Sequence, residues 1–398
     1  MHEYYSNQEE LLTHGSFKSL KDLESYDLER QSLFTDKLFL PPRMFRDAKL
    51  IEFGPDSGEN SLVFARWGAS CKLIEPNPKA HSVIKNYFNK YKLSDKLDKL
   101  VLSDLLSYSK YLKPSEKFDI IDAEGFIYTI RPESLWIDIF NRILNDNGFV
   151  IIYYCEAFGS FMELSLKVIH TRICELTGMG DLEAAQKLYA AKWKSIPHKR
   201  SMKSWLMDIL KNPYVRLHYF FEPQSLCKKM SEAGFYLYSS WPYYKDGLNV
   251  HWYKKKLDSG EQLRLQDDFI ARSRISHMFG RKNFIVDLDT TLEKDLFNLL
   301  GLIDGLIDNF DKDKAMQCVE YLSILEKFIN SNKILVDPKE TIDTVQTIQS
   351  IQHIFQLLVE GKVNDVIEFC NKDKPFINSW GIPSHFAVFK KNPAVNLG

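Results

Sequence analysis

The sequence has no excess of charge of either sign and no long apolar run. Its 52 basic and 53 acidic side chains give a net charge of −1, whereas nucleic-acid-binding domains usually present a strongly basic surface. We therefore predict no nucleic-acid partner.

No apolar segment is long enough to span a bilayer, and the first ten residues are polar and lack the apolar core of a signal peptide. The sequence thus predicts a cytoplasmic protein with no membrane partner.

Cysteine is also scarce. The six cysteines are scattered, with no Cys-x-x-Cys pair and no histidine at a metal-ligand spacing beside them. Disulfide frameworks and zinc sites need clustered ligands, so we predict neither, and no other metal. Hydrophobic residues are abundant at 44%, with 26% charged, which is typical of a globular protein. A chain of 398 residues exceeds one usual core, so we expect at least two domains.

From residue 49 onward, short apolar runs alternate with helical patterns, after an N-terminal helical segment at 1–47. The runs are continuously apolar, as in a parallel sheet with helices on both faces. Right-handed crossovers between such strands give a doubly wound α/β sheet. We assign the first five strands to 50–53, 71–74, 100–102, 118–121 and 149–154.

Two features extend this α/β pattern. A long helical insertion, about 156–221, follows the fifth strand and is far longer than an ordinary crossover. The last two strands, 235–239 and 248–253, are joined by a loop too short for a parallel connection, so this pair should be antiparallel. We therefore predict a seven-stranded, mostly parallel sheet with an antiparallel last strand, in a domain spanning 48–257.

Residues 258–398 have the pattern of a C-terminal α-helical domain. Thr290 and Glu293 match a capping box, and an unbroken apolar stripe follows them. A short strand-like segment at 385–389 comes near the end. Such stripes are usually internal core, and a homodimer through these helices is the alternative.

The first strand runs into a turn with small residues, from Gly54 to Gly58. These two glycines permit unusual backbone angles and close approach by a ligand. The free N–H groups of the following helix attract a polar or negative group. By itself the turn is equally compatible with an ordinary strand–helix connection that binds nothing.

Acidic residues end the first four strands: Glu52, Glu75, Asp104 and Asp122. The carboxyl ends of parallel strands form the ligand crevice of such sheets, so we expect these acids to converge. Glu75 stands where an acid can bind both hydroxyls of a ribose. A dinucleotide site would need Gly-x-Gly-x-x-Gly, but Asp56 replaces the middle glycine and would repel a pyrophosphate. The pattern favours an adenosine cofactor without phosphate.

Taken together, these elements resemble the class I S-adenosylmethionine-dependent methyltransferases, which have a Rossmann-like core. The resemblance covers about residues 48–254. It rests on the turn at 50–58, Glu75, Ser103-Asp104-Leu105, Asp122 and a fifth strand led by Gly148.

This resemblance implies S-adenosylmethionine as cofactor and S-adenosylhomocysteine as product. The turn would hold the methionine portion, Glu75 the ribose hydroxyls, and Asp104 with Leu105 the adenine edge. Asp122 to Glu124 would form the floor near the methyl group. The implied cofactor-binding residues are Glu52, Phe53, Gly54, Pro55, Gly58, Glu75, Asp104, Leu105, Asp122 and Ala123.

The acceptor is less defined by the sequence. The Asn-Pro-Pro-Tyr motif that the family uses for nucleobases and glutamine is absent, and Asp122-Ala123-Glu124-Gly125 stands in its place. That string is similar to one in enzymes that methylate sugar or antibiotic hydroxyls. We predict transfer to an O or N atom of a small-molecule or saccharide-like acceptor, held under the helical insertion as a lid. The predicted catalytic residues are Glu124, His198 and Tyr153.

Two alternatives remain at this stage. One is a protein N-methyltransferase, in which the insertion and the C-terminal helices together hold a polypeptide. The other is a non-catalytic scaffold that binds an adenosine cofactor and acts through its C-terminal helices. Because Glu75 and Asp104 are intact, the sequence gives no sign of a decayed cofactor site.

Overall fold

The computed structural model divides the chain into two compact units. One unit comprises Met1–Tyr154, Phe221–Asp267 and His385–Gly398, and the other comprises Cys155–Phe220 and Asp268–Ser384. The residues that the structure describes are 2–7, 17–113, 115–197, 201–245, 257–281, 285–332 and 337–392.

Seven strands of the described chain form one sheet in the first unit. Strands β1 and β2, β1 and β4, β2 and β3, and β4 and β5 pair in parallel, whereas β6 and β7 are antiparallel. The sheet order β3-β2-β1-β4-β5-β7-β6 confirms the predicted doubly wound fold. The strands are β1 (Lys49–Phe53), β2 (Ser70–Ile74), β3 (Leu97–Val101), β4 (Phe118–Glu124), β5 (Leu144–Cys155), β6 (Phe235–Trp241) and β7 (Ser384–Lys391).

Helices account for most of the remaining described structure. Among these residues they are α1 (His2–Ser6), α2 (Leu20–Ser32), α3 (Glu59–Arg66), α4 (Pro78–Lys90), α5 (Leu105–Ser109), α6 (Ser134–Ile143), α7 (Phe161–Thr177), α8 (Asp181–Lys194), α9 (Met202–Trp205), α10 (Pro223–Glu232), α11 (Ser259–Phe279), α12 (Thr290–Asp308), α13 (Lys312–Ser331), α14 (Pro338–Glu360), α15 (Val363–Lys372) and α16 (Lys374–Asn378). Short π-helical turns continue α2 and α9 at Leu33–Lys37 and Leu206–Leu210, and 3₁₀ turns lie at Pro42–Phe45, Ser94–Lys96 and Ile127–Thr129.

The central strands are buried on both faces, as their continuous apolar runs predicted. The last four residues of β1 are all buried, and β4 has five buried positions out of seven. β5 begins at Leu144, five residues before the strand assigned from the sequence, and Asn147 within it has a positive φ of 63°. The register between β4 and β5 shifts there, so residues 145–148 form an irregularity within the strand.

Among the described residues, the antiparallel strand beside β6 is β7. The segment 248–253, assigned as a strand from the sequence, lies outside the described residues. β7 overlaps the strand-like stretch at 385–389, and residues 387–389 at its centre are buried. Its apolar run, Phe386 to Phe389, suits a position between two neighbouring strands.

The second unit is helical and has its own hydrophobic core. Side chains of α7 and α8 share this core with side chains of α12, α13 and α14. The predicted insertion, 156–221, therefore packs with helices of the predicted C-terminal segment. The predicted capping box of α12 is wrong in position, because the N-cap is Asp289. Its carboxylate accepts the Leu292 N–H at 2.8 Å, and an aspartate is a stronger cap than a threonine.

No helix in the described parts of the chain combines the length and the apolar character needed to cross a membrane.

Candidate functional site

The acids at the ends of β1 and β4 are neighbours in the sheet. Glu52 of β1 lies opposite Asp122 of β4, and Glu124 lies opposite Tyr153 of β5. On the other side of β1, Glu75 directly follows β2. The parallel register therefore brings together four acids from three separate segments of the chain, as the carboxyl-end rule predicts.

The glycine turn is fixed to the end of β2 by two hydrogen bonds that its backbone N–H groups donate, one to a carbonyl and one to a side-chain carboxylate. The Gly54 N–H donates to the Ile74 carbonyl at 2.9 Å, and the Asp56 N–H donates to Glu75 Oε2 at 2.9 Å. Gly58 has a φ of +84°, and a Cβ there would lie 2.9 Å from Cγ1 of Ile84. The left-handed backbone and the close side chain both require glycine at this position.

Glu75 has a buried carboxylate that is held by backbone N–H groups. Glu75 is only 4% exposed, and its Oε1 accepts a hydrogen bond from the Asn77 N–H at 2.6 Å. Burial raises the Glu75 pKa to about 8, although the hydrogen bonds from Asn77 and Asp56 oppose this shift. Each carboxylate oxygen has two lone pairs, so both oxygens retain acceptor capacity for ligand hydroxyls.

Glu52 and Asp122 form the buried centre of this group. The Ser61 hydroxyl donates a hydrogen bond to the Glu52 carboxylate. Burial raises the pKa of Glu52 to about 8, and the charge of Glu124 adds to this rise. Burial also raises the Asp122 pKa well above its usual range, and the charges of Glu124 and Glu52 raise it further. Within the described residues, neither carboxylate oxygen of Asp122 has a hydrogen-bond partner. In the ligand-free protein, burial and the neighbouring carboxylates therefore favour the protonated forms of both acids, whereas the charge of Arg30 opposes this shift.

Glu124 is held in an ion pair with Arg30 of α2. The guanidinium nitrogens lie 2.5 and 3.0 Å from the two carboxylate oxygens, and the two side chains are only 7% and 12% exposed. Asn60 Nδ2 donates to the same carboxylate at 3.2 Å, and the Tyr26 hydroxyl donates to Asn60 Oδ1 at 2.6 Å. The predicted base thus already accepts three hydrogen bonds, and α2 contributes directly to this end of the sheet.

The sequence pointed to none of these α2 contacts. Arg30 and Tyr26 lie in the N-terminal helical segment, whose pattern favours simple packing and leaves closure over a ligand at the tip of the first strand as the alternative, and neither residue has a motif around it. The pairing of Arg30 with Glu124 joins residues 94 positions apart. The only sequence feature that could have indicated these contacts is an arginine one helical turn after a tyrosine. That pair is too common to identify a functional site.

The remaining predicted cofactor residues have mainly structural contacts. Asp104 is exposed, caps α5 and accepts the Ser107 N–H at 2.9 Å, and Leu105 beside it is buried. Phe53 is buried and stacks on Phe140 with ring centroids 5.9 Å apart. Pro55 and Ala123 are likewise buried. Phe53 and Ala123 therefore expose almost no surface to a ligand in this structure.

A family model described as a methyltransferase domain matches residues 26–240, which is more than half of the chain. The chain belongs to this family. Together with the sheet order and the antiparallel β6–β7 pair, this makes it a class I S-adenosylmethionine-dependent methyltransferase. No curated protein matches the chain.

Several solved structures are similar to the methyltransferase at low identity. PKMT2 from Rickettsia typhi is 18% identical over 48% of this chain and 39% of its own, with a TM-score of 0.35. TehB from Haemophilus influenzae is 14% identical over 33% and 41%, with a TM-score of 0.25. The CcbJ methyltransferase from Streptomyces caelestis is 12% identical over 40% and 57%, with a TM-score of 0.28. The chain thus spans less than two thirds of each of these three proteins.

The other two predicted catalytic residues of the methyltransferase differ in what the structure shows. Tyr153 is half-buried, and its ring packs on Phe386 with centroids 5.0 Å apart. The Gly125 N–H donates to the Tyr153 carbonyl at 3.0 Å, so the backbone after β4 is joined to this residue. His198 lies outside the described residues.

The sequence also missed a buried chain of aromatic hydroxyls in the methyltransferase. The hydroxyls of Tyr154 and Tyr244 share a hydrogen bond, and the Tyr244 hydroxyl lies 2.6 Å from Nδ1 of His385. All three side chains are fully buried. Tyr154 lies near the end of β5, and its partners come from distant segments that no local pattern connects.

Proposed function

We propose that the turn and the acids at the ends of β1, β2 and β4 bind S-adenosylmethionine. The observation that carries this proposal is the cluster of buried carboxyl groups at this edge of the sheet. Among the described residues, Glu52, Asp122 and Glu124 lie near one guanidinium, that of Arg30, which pairs with Glu124. Glu75 adds a further buried carboxyl group beside the turn. Such a group is suited to a ligand that brings positive charge and hydroxyl donors.

The residues present fit this cofactor. It carries a sulfonium, an ammonium group and two ribose hydroxyls, and a cation beside a buried carboxyl favours the ionised form. Asp122 has two buried oxygens without a partner among the described residues. A buried polar group left unpaired costs about 1–3 kcal/mol, so a donor from the ligand would remove this penalty.

The proposed roles follow from these contacts. Glu75 would accept the ribose hydroxyls through its remaining lone pairs, and the turn from Gly54 to Gly58 would hold the methionine portion. The backbone at Asp104 and Leu105 would contact the adenine edge, because the Asp104 carboxylate already caps α5. The backbone at Ala123 would form the floor of the site.

When bound, the cofactor supplies an activated methyl group that leaves a neutral thioether behind. The protein's own task is to orient the acceptor and to exclude water. For an oxygen acceptor, a nearby base assists by taking the proton. We propose Glu124 for this role, after the acceptor has displaced part of its ion pair with Arg30, and Tyr153 and His198 as further contacts.

We propose an O or N atom of a small-molecule or saccharide-like compound as the acceptor, with the insertion at 156–221 as its lid. The string Asp122-Ala123-Glu124-Gly125 in place of Asn-Pro-Pro-Tyr supports this class over nucleobases. Incubation of a fractionated cell extract with the protein and methyl-labelled cofactor tests it. Label in the small-molecule fraction supports the proposal, whereas label confined to protein would replace it with a protein methyltransferase.

Cofactor binding is tested by thermal unfolding with S-adenosylhomocysteine. A ligand at 100 times its Kd stabilises the folded state by about 2.7 kcal/mol, which corresponds to a rise in Tm of roughly 5–10 °C. Glu75→Ala should remove most of this rise, whereas Glu232→Ala, at the exposed end of α10, should retain it. No rise with S-adenosylhomocysteine, together with a rise with NAD, would refute the proposal.

A further inference from the structure

We propose that His170, Cys174 and Asp181 form a binding site for a zinc ion in the helical second unit. His170 and Cys174 lie four residues apart on α7, so their side chains share one face of the helix. This spacing suits two metal ligands, so the proposal revises the expectation from the sequence that no histidine is placed to share a metal with a cysteine. Asp181 is the first residue of α8. The α7–α8 connection therefore brings a nitrogen, a sulfur and an oxygen donor to one place.

The distances between the donor atoms are close to those around a tetrahedral zinc ion. Cys174 Sγ lies 3.8 Å from His170 Nε2 and 3.9 Å from Asp181 Oδ1, and Nε2 lies 3.9 Å from the same Oδ1. Zinc bonds of about 2.3 Å to sulfur and about 2.0–2.1 Å to nitrogen and oxygen place the ligand atoms roughly 3.3–3.6 Å apart. A contraction of a few tenths of an ångström would therefore complete the geometry.

The donor set selects the metal. A histidine, a cysteine and a carboxylate together suit zinc, whereas calcium and magnesium take oxygen ligands. His170 is 1% exposed, but the Asp181 side chain is 44% exposed, so the ion would keep access to solvent. Three protein ligands leave the fourth position to water, as zinc permits.

Two existing contacts would have to give way to the ion. The Lys211 ammonium lies 3.1 Å from Asp181 Oδ1, and His170 Nε2 lies 2.9 Å from the Asp181 carbonyl oxygen. The Lys211 and Asp181 side chains are both more than 40% exposed, and surface pairs of this kind are weak. A divalent cation held by three ligands would displace the single ammonium.

The physical consequence would be a link between α7 and α8 at their connection. Only Gly178, Met179 and Gly180 separate the two helices, and Gly178 adopts the left-handed conformation. An ion ligated from both helices would fix this short linker without a covalent bond. Zinc would then raise the stability of the helical unit, because a ligand that binds only the folded state stabilises it.

The test uses the full-length protein without a histidine tag, treated with chelator and then titrated with zinc chloride. We expect one zinc ion per chain by calorimetry and by elemental analysis. With cobalt(II) in place of zinc, the Cys174 thiolate should give a sulfur-to-cobalt charge-transfer band. Cys174→Ser and His170→Gln should each weaken zinc binding by more than about 100-fold, since even outer-shell changes cost 10–100-fold.

Two further variants separate the site from a general effect on folding. Lys211→Gln replaces a half-exposed side chain and removes the competing charge, so it should tighten zinc binding about two- to fivefold. Cys318→Ser, at a buried cysteine of α13, should leave zinc binding unchanged. Zinc binding that persists in Cys174→Ser and His170→Gln, no thiolate band with cobalt, or no binding at all would overturn the proposal. Weaker binding in Lys211→Gln would overturn it as well.

Discussion

Replacing Glu75 with glutamine should change how the stability of the ligand-free protein depends on pH. Burial raises the pKa of Glu75 from 4.5 to about 8 in the folded state. Because the unfolded chain ionises this group at a lower pH, its contribution to stability is fully present below pH 4.5. That contribution is lost as the pH rises towards 8.

The size of the effect follows from the two pKa values. One pKa unit corresponds to 1.36 kcal/mol, so Glu75 should remove about 3–4 kcal/mol of unfolding free energy between pH 5 and pH 8. Glu75→Gln keeps the size and one acceptor oxygen but cannot titrate. The substitution also replaces the other oxygen with an NH₂ donor that faces a backbone N–H. The resulting loss of folding free energy does not vary with pH.

Urea unfolding at several pH values measures this effect, with hydrogen exchange in β1 and β2 assigning the transition to the first unit. The stability of Glu75→Gln should rise relative to the native sequence as the pH increases from 5 to 8. Glu133→Gln is the matched control, because the Glu133 pKa is lowered and its carboxylate is ionised in both states over most of this range. A Glu75→Gln difference that is the same at pH 5 and pH 8 would refute the reasoning.

Two further predictions concern the elements around this site. Arg30→Met should destabilise the protein by about 3–5 kcal/mol at pH 8, because it leaves the buried Glu124 carboxylate without its partner. Adding Glu124→Gln should restore most of that loss in urea unfolding, and a further loss would contradict the ion-pair explanation. Gly58→Ala should cost more than Gly178→Ala, because a Cβ at Gly58 lies 2.9 Å from Ile84 Cγ1, whereas none of the described atoms lies within 4 Å at Gly178. Both glycines have a positive φ, which costs about 1–2 kcal/mol, so equal losses in thermal unfolding would refute a steric role for Ile84.

Local patterns were sufficient to predict the sheet and the acids at its edge. The run from Leu50 to Phe53 is apolar without alternation, and a buried parallel strand is the simplest structure for it. Once β1, β2 and β4 are parallel, the positions of Glu52 and Asp122 follow from chain direction alone. These features depend on residues adjacent in sequence or on a general rule of α/β folds, and they could therefore be predicted from the sequence.

The contacts that could not be predicted join distant segments. Arg30 pairs with Glu124, and the Tyr244 hydroxyl meets the ring of His385, across 94 and 141 positions respectively. β6 and β7 also pair although a long stretch of chain separates them, and sequence distance was the only guide to strand pairing. Propensity and periodicity describe one element at a time and do not say which elements become neighbours.

The place of β7 in the sheet has a consequence for how the protein is made. β7 lies between β5 and β6, yet it is the last of the described strands to be synthesised. At about 5–20 residues per second, translation needs roughly 7–30 s to proceed from Trp241 to Ser384. During that time β7 is missing from the edge of β6 that it later covers, and an unpaired strand edge is open to wrong partners. The first unit can therefore complete its sheet only after nearly all of the second unit has been synthesised.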